Sequence, residues 1–312
     1  MPTAHTDEST PPGFQGRFVA ELIAARSYEL AQLAAAELIS ARPEIAARYR
    51  PLPREKWTSS FVGRLNDLSA ALFAESPRVF ASQVSWARAA FIARGTPLED
   101  LRAGLDVLRR VVAMETTPED APLVDSYFVE AIAALDSEAG QTPSGLSTDT
   151  PQGKVAAAYL LRILEGDRVE AARVVHDAVR GGLAVRSAYL DVLVPAQQEL
   201  GRMWHLGEIS VAEEHFATST TQMVMSQLLP MTGLPARDGR CVLTAAVDGN
   251  AHDLGVRVVA DFFEMAGWRA IYLGASVPID DLVTAAVDFR TDLVALSAAL
   301  PTQIPTLERT IQ

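Results

Sequence analysis

Through residues 17–140, apolar side chains recur three and four positions apart, with Ala, Leu, Arg and Glu between them. That period turns one face of each segment toward a core and predicts helices over 17–41, 61–76, 77–95, 98–115 and 121–138. Breaks fall at Pro43, Pro51, Pro53, Ser76-Pro77, Gly95-Thr96-Pro97 and Thr117-Pro118, residues that lack an amide proton or favour turns. An all-helical sensor or dimerisation domain is expected over 17–140, after a polar, turn-rich and disordered N-terminus at 1–16. Residues 141–153 mix Gly, Ser, Thr and Pro without a period and read as a linker.

Four further helical stretches follow near 154–166, 167–181, 185–203 and 208–230, and their short connections predict a four-helix bundle over 154–233. Ser210 and Glu213, three residues apart ahead of an apolar run, predict a capping box at the last of them. Beyond residue 240 the texture changes. The runs CVLTAAV, WRAIYLGA and DLVALSAAL read as strands, separated by the helical HDLGVRVVADFFEMAG and PIDDLVTAAVDF. This alternation predicts parallel βαβ units with helices on both faces, a Rossmann-like domain over 240–312. The fold class is therefore multidomain, α and α/β. Sheets of this kind hold ligands beyond the carboxyl ends of their strands, which singles out the loop DGNAHDLG after the first strand.

Composition narrows the function. The net charge is -12, with 14 basic and 20 acidic residues up to Thr150 and 13 and 19 after it. Neither half carries the clustered positive charge that binds a phosphate backbone, so no direct nucleic-acid contact is expected. Lys56 and Lys154 are the only lysines, and the other basic residues are arginines, suited to paired contacts with carboxylates. No apolar run is long enough to span a membrane, and the N-terminus lacks the basic-then-apolar order of a signal peptide, so a soluble cytoplasmic protein is expected. The single Cys241 rules out a disulfide framework or a cysteine zinc site and is expected to act as a small buried apolar residue.

One stretch concentrates chemistry. GRMWHLGEISVAEEH, residues 201–215, holds two of the five histidines, a tryptophan and a run of carboxylates within an amphipathic helical pattern. A third histidine, His252, stands on the loop after the first strand. Taken singly, the residues leave alternatives open: Trp204 as a packing anchor, Glu213 and Glu214 as a solvated helix start, His215 as a surface residue, and His252 as a loop histidine or a metal ligand.

A helical bundle followed by a βαβ sheet bearing this loop resembles the cobalamin-binding module. The family's motif is Asp or Glu, any residue, His, two residues, Gly; here it reads Asn250-Ala251-His252-Asp253-Leu254-Gly255, with Asn250 in place of the acid. The resemblance implies that His252 ligates cobalt from below after displacing the coenzyme's own base, that the tail of the coenzyme enters the sheet domain near Ser297, and that the bundle covers the upper corrin face. A carboxylate beside a ligand histidine orients it and raises its basicity; an amide oxygen at position 250 is expected to orient the ring while donating less electron density. The family's later Gly-Gly loop does not occur in the chain, so the expectation is either that the sequence is shortened or that the sheet is incomplete at its C-terminal side.

Trp204, nine intervening residues and Glu214-His215 match the motif of CarH-like light-responsive cobalamin-binding regulators, and His205 beside the tryptophan also matches. By that resemblance Trp204 covers the adenosyl group, Glu214 bonds its ribose, Val211 and His215 belong to the same upper site, and His205 takes the cobalt once light has removed the adenosyl. The cofactor implied is adenosylcobalamin, and the implied function is that of a sensor, not an enzyme, with a change of conformation or homo-oligomeric state as output. The alternative is a corrinoid methyl carrier of a methyltransferase system. Residues 1–150 do not resemble the DNA-binding domain of those regulators: they are net acidic and have no basic recognition helix. Between His5 and His176 there is no histidine to ligate a haem, and there is no cysteine to attach a bilin. The arrangement is similar to the photocobilins, which implies biliverdin as a second, noncovalent chromophore, with Trp57, Trp86, Phe91 and Tyr127 as aromatics available to its rings.

Overall fold

The computed structural model describes residues 14–137 and 144–312. Of the N-terminus expected as disordered over 1–16, residues 1–13 lie outside the described residues and 14–16 form the start of a helix; of the linker expected over 141–153, residues 141–143 lie outside them and 151–153 open a helix, as proline in a first turn allows. The chain divides into two compact units between Ala139 and Gly140.

The first unit is helical: α1 (Phe14–Ala25), α2 (Ser27–Ala41), α3 (Pro43–Arg48), α4 (Pro53–Phe73), α5 (Pro77–Ala93), α6 (Leu98–Glu115) and α7 (Ala121–Asp136). The segment expected as one helix over 17–41 is two, broken at Arg26, and α4 begins at Pro53, eight residues before the first apolar residue that signalled it. Proline in the first turn explains the starts of α3, α4 and α5: its fixed φ suits the helix and its missing amide proton is not needed there. Leu38, Phe61, Leu68, Phe80, Leu108 and Phe128 form the fully buried centre, each contributing about 1.5–3 kcal/mol by leaving water. Trp57 packs between Tyr49 and Phe61, with ring centroids 5.1 and 5.3 Å away. Gly104 makes room for it, since a Cβ there would stand 2.7 Å from Trp57 Cζ3. Of the aromatics considered for a chromophore, Trp57 and Tyr127 are buried in this core, Phe91 packs at its margin and Trp86 is exposed.

The second unit opens with α8 (Pro151–Leu164) and α9 (Arg168–Arg180). A continuous helical rod follows, made of one turn α10 (Val185–Ser187), a π-helical segment Ala188–Leu193 and α11 (Val194–Leu206), and then α12 (Val211–Leu228). Pro195 supplies a reason for the π segment. An α-helical proline would drive its ring into the carbonyl four residues back, at Asp191, and the wider π turn relieves that contact. Tyr159, Tyr189, Val192, Ala217, Val224 and Leu228 bury the facing sides of these helices.

The sheet has three parallel strands in the order β2-β1-β3, with β1 at Cys241–Val247, β2 at Arg269–Val277 and β3 at Leu293–Ser297. All seven residues of β1 are buried. Helices α13 (Leu254–Glu264), α14 (Ile279–Asp288) and α15 (Ile304–Ile311) complete the unit. Leu243, Ala245 and Leu296 pack against Leu282 of α14 on one face of the sheet; Tyr272, on the other, meets α13 through Asp253 and Arg257. Helix α13 also joins the helical half: the Tyr189 hydroxyl reaches Asp261 Oδ2 at 2.8 Å and the Met225 carbonyl at 2.9 Å, and Val258, Phe262 and Met265 join the core of α8–α12. Among the described residues no helix is long and apolar enough to cross a membrane. Cys241 is buried at the start of β1.

Candidate functional site

The loop after β1 is built around Asn250, which is fully buried. Its side-chain oxygen accepts the backbone N–H of His252 at 3.0 Å, an Asx turn, and its amide nitrogen donates to the carbonyl of Ser297 at 2.9 Å. Its own carbonyl accepts the N–H of Ser276 at 3.0 Å. One side chain and its backbone therefore tie the carboxyl ends of all three strands together. This corrects the expectation for position 250: the amide oxygen holds the backbone of His252, and the imidazole is left exposed with no hydrogen bond to another described residue. Ser276, at φ +50°, latches the loop from the side, accepting from Gly249 N–H and donating to Asp248, both at 3.1 Å. Gln303 closes it from beneath, accepting Ala299 N–H at 2.8 Å and donating to the Gly249 carbonyl at 3.4 Å.

Asp253 fixes the next step of the chain. One carboxylate oxygen accepts Gln222 of α12 at 3.2 Å, the other the Tyr272 hydroxyl of β2 at 2.5 Å. Burial, with the Asp253 carboxylate beside it, holds that hydroxyl well above the usual tyrosine range, so it stays protonated and donating. Arg257 bonds Ser226 of α12 at 2.7 Å one turn further along. Gly255 is exposed, and a Cβ there would meet nothing within 4 Å.

Behind the loop, pairing in register sets Thr244 beside Ala295 and Tyr272, and Ala246 beside Ser297, so these side chains share the α13 face of the sheet. At the carboxyl ends of β1 and β3 that face carries small residues, Thr244, Ala246, Ala295 and Ser297, whereas the α14 face carries Leu243 and Leu296. Thr244 Oγ1 is buried without a hydrogen-bond partner among the described residues, a cost of about 1–3 kcal/mol unless something bonds it. Ser297 is half-buried at the end of β3.

The second group of residues lies at the α11–α12 corner. Gly207, left-handed at φ +77°, ends α11, and Ser210 starts α12 with the capping box its spacing predicts: Glu213 N–H to Ser210 Oγ at 3.3 Å, Ser210 N–H to Glu213 Oε2 at 2.7 Å. Those bonds hold the Glu213 carboxyl below the usual range. Trp204 is 40% exposed and His205 only 9%. Val211 is exposed, as is His215, whose Nε2 lies 3.7 Å from Glu214. Glu214 is half-buried and heads a polar chain that sequence reading missed. Thr218 donates to it at 2.7 Å and reaches Gln197 at 3.4 Å; Gln197 donates to Thr221 at 2.5 Å, and Thr221 meets the buried Tyr159 hydroxyl at 2.7 Å. Burial pushes the Tyr159 hydroxyl up to about 12.

Glu214 lies eight residues before Gln222 on α12, about 12 Å along the helix. The Gln222 to Asp253 bond is thus a strut joining the two groups, with His252 at its foot and Glu214 near its head. Among the described residues no three His, Cys, Asp or Glu side chains gather around a point where a metal would sit.

Residues 155–229 match a family model described as a B12 binding domain, and residues 240–312 match a second with the same description. The HTH-type transcriptional repressor CarA of Myxococcus xanthus is 35% identical over 135 residues, covering 43% of this chain and 43% of that protein. The HTH-type transcriptional repressor CarH of the same organism is 30% identical over 136 residues, 43% of this chain and 44% of that protein. Dimethylamine corrinoid protein 1 of Methanosarcina acetivorans is 24% identical over 116 residues, 36% of this chain and 54% of that protein. The chain thus spans under half the length of the two repressors it matches, and about half that of the corrinoid protein.

Proposed function

We propose, on the premise that residues 155–229 and 240–312 form a cobalamin-binding module, that this module is the light-sensing part of a cytoplasmic regulator and has no enzymatic activity of its own. The observation that carries the reading is the pairing, within one compact unit, of the exposed His252 ring with an exposed Trp204 and a half-buried Glu214 at the other end of the α12 strut.

The residues fit the cofactor. An imidazole with no competing hydrogen bond is available as the lower cobalt ligand; the unpartnered Thr244 hydroxyl and Ser297, on a face of small side chains, suit the displaced tail; and Gly255, three residues past His252, leaves the flank of the loop open to a flat ring. Adenosylcobalamin would supply a cobalt–carbon bond that green light splits, one electron remaining with each atom. The helices α8, α9, α11 and α12 would act as a bundle covering the bound cofactor, where Trp204 would shield the adenosyl from water, Glu214 would accept a bond from its ribose, and Val211 and His215 would border it. With the adenosyl gone, Trp204 and Glu214 would lose their contacts to it, and His205 would be the residue available to the cobalt. That difference between the two states is what can shift a conformational or homo-oligomeric equilibrium. Biliverdin is proposed as a second, noncovalent ligand of the helical unit, where Trp57 Nε1 is a buried donor without a partner among the described residues; a far-red band on mixing would support it.

The test is reconstitution with adenosylcobalamin, with visible spectra and size-exclusion chromatography before and after green light. The reading expects a base-off spectrum that bleaches irreversibly and an elution volume that changes; an unchanged spectrum overturns it. His252→Ala is expected to lose the histidine-ligated form. A methyl carrier, the second reading favoured by the likeness to a dimethylamine corrinoid protein, would exchange methyl groups in the dark and be indifferent to Trp204→Ala.

A further inference from the structure

We propose that the π-helical segment Ala188–Leu193 is a reserve of one helical residue that lets α11 exchange Trp204 for His205 at the upper face, and that Tyr189 is the positioning residue that holds the reserve in place. The proposal rests on the reading of His205 as the later cobalt ligand.

Consecutive residues of an α-helix point about 100° apart. Trp204 is exposed and His205 buried, so α11 presents one of them at a time. Bringing His205 to the position of Trp204 requires α11 to turn by about 100° and slide by about 1.5 Å, the displacement of one residue. A continuous α-helix makes that movement only by carrying everything upstream with it. A π segment contains one residue more than the α-helix it interrupts, and handing that residue along the rod lets the downstream part turn while the upstream part stays still.

The contacts divide in the manner this requires. Upstream, Arg186 donates to the Met265 carbonyl at 3.4 Å and stacks over Phe262 at 5.3 Å, and the Tyr189 ring meets Phe262 edge-on at 6.0 Å. These hold the head of the rod to α13, the helix that starts beside His252. Downstream, α11 meets α12 through Gln197, whose partners Thr221, the Ala217 carbonyl and Thr218 share one face of α12 at 2.5, 3.3 and 3.4 Å, and meets the segment before α8 through Glu199, which accepts the Gly145 N–H at 3.3 Å. The left-handed Gly207 at the far end gives the chain a joint that can absorb the turn. Tyr189 sits at the boundary. Its one hydroxyl proton has two acceptors, the Met225 carbonyl of α12 and the Asp261 carboxylate of α13, so it clamps the first π turn to both neighbours. Leu190, the next residue, is exposed and engages neither.

The probe is hydroxocobalamin, which lacks the adenosyl group, so ligation by His205 replaces water in the dark and no electron changes hands. Wild-type protein is expected to develop a two-histidine spectrum that His205→Ala does not. Deleting Leu190 in a Pro195→Ala background removes the spare residue, keeps the register of both faces of the rod and leaves no proline ring against the Asp191 carbonyl. Binding should then stay within about threefold of wild type, while the His205-dependent change slows by about tenfold or more. Tyr189→Phe keeps the ring and loses the clamp, and should speed the change by about tenfold. A Leu190 deletion that changes at the wild-type rate overturns the proposal. A wild-type protein with no His205-dependent change overturns the ligand reading itself, a separate result. Should the deletion not fold, hydrogen exchange of apo Tyr189→Phe decides: α11 amides should exchange about tenfold faster relative to those of α8, and equal protection overturns the clamp.

Discussion

Asn250 grips His252 by the main chain and leaves its imidazole untouched: Oδ1 takes the His252 N–H at 3.0 Å while Nδ2 gives its proton to the Ser297 carbonyl at 2.9 Å. An amide is the one side chain of this size that both donates and accepts there. Asn250→Asp would set a carboxylate against the Ser297 carbonyl in a site closed to water. A loss of about 2–3 kcal/mol in unfolding free energy is expected, read from urea melts; a variant as stable as wild type would show that the loop does not depend on the donated bond.

Thr244 leads to an opposite pair of outcomes. Its hydroxyl is buried and unpartnered, so Thr244→Val, which keeps the shape and removes the orphan group, should stabilise the apo protein by about 1 kcal/mol. The same variant should retain cobalamin less well, by about fivefold, if that hydroxyl is completed by the bound tail. Thermal melts of the apo form and equilibrium dialysis of the loaded form read the two effects separately.

In the helical unit the sharpest steric constraint is at Gly104. A methyl group there would come within 2.7 Å of a ring atom of Trp57, itself wedged between Tyr49 and Phe61. Gly104→Ala, normally favourable inside a helix, should instead cost about 1–3 kcal/mol through forced displacement of the indole. Trp57→Phe, which shortens the ring, should recover part of that loss in the double variant.

Asp67 gives a pH signature. Burial raises its carboxyl above the usual 3.8, with Arg64 at 3.2 Å opposing the rise. The folded state therefore holds this proton to higher pH than the unfolded state. Its contribution to stability is complete below 3.8 and is lost as pH climbs through the raised value. Asp67→Asn should flatten that decline. Equal pH slopes for wild type and variant in urea melts just above the ordinary carboxylate range would contradict it.

How far these features could be read beforehand depended on whether the signal was local. The run Cys241–Val247 announced its strand through seven consecutive small or apolar residues, all of them buried, and Ser210 with Glu213 announced its cap through spacing alone. The break at Arg26 carries neither Gly nor Pro and was invisible. The start of α4 was read eight residues late, because the stretch around Lys56 and Ser59 has no apolar period although Trp57 within it is buried. At the site, Trp204, Glu214 and His252 stand out in sequence as chemistry-bearing residues. What surrounds them does not, because Gln197, Gln222 and Tyr272 gain their meaning from partners 19 to 31 positions away, and Thr244 from having none among the described residues. The π turn was likewise hidden; only Pro195, sitting inside an otherwise regular helical pattern, hinted at it.

Ser276 shows what the rim of the loop demands of its sequence. Its left-handed backbone would be more comfortable with glycine, yet glycine would surrender the hydroxyl that spans Gly249 and Asp248. Conformational ease and firmness of the rim are therefore mutually exclusive at this position, and the residue present accepts a tense main chain so that the floor beneath the imidazole does not sag.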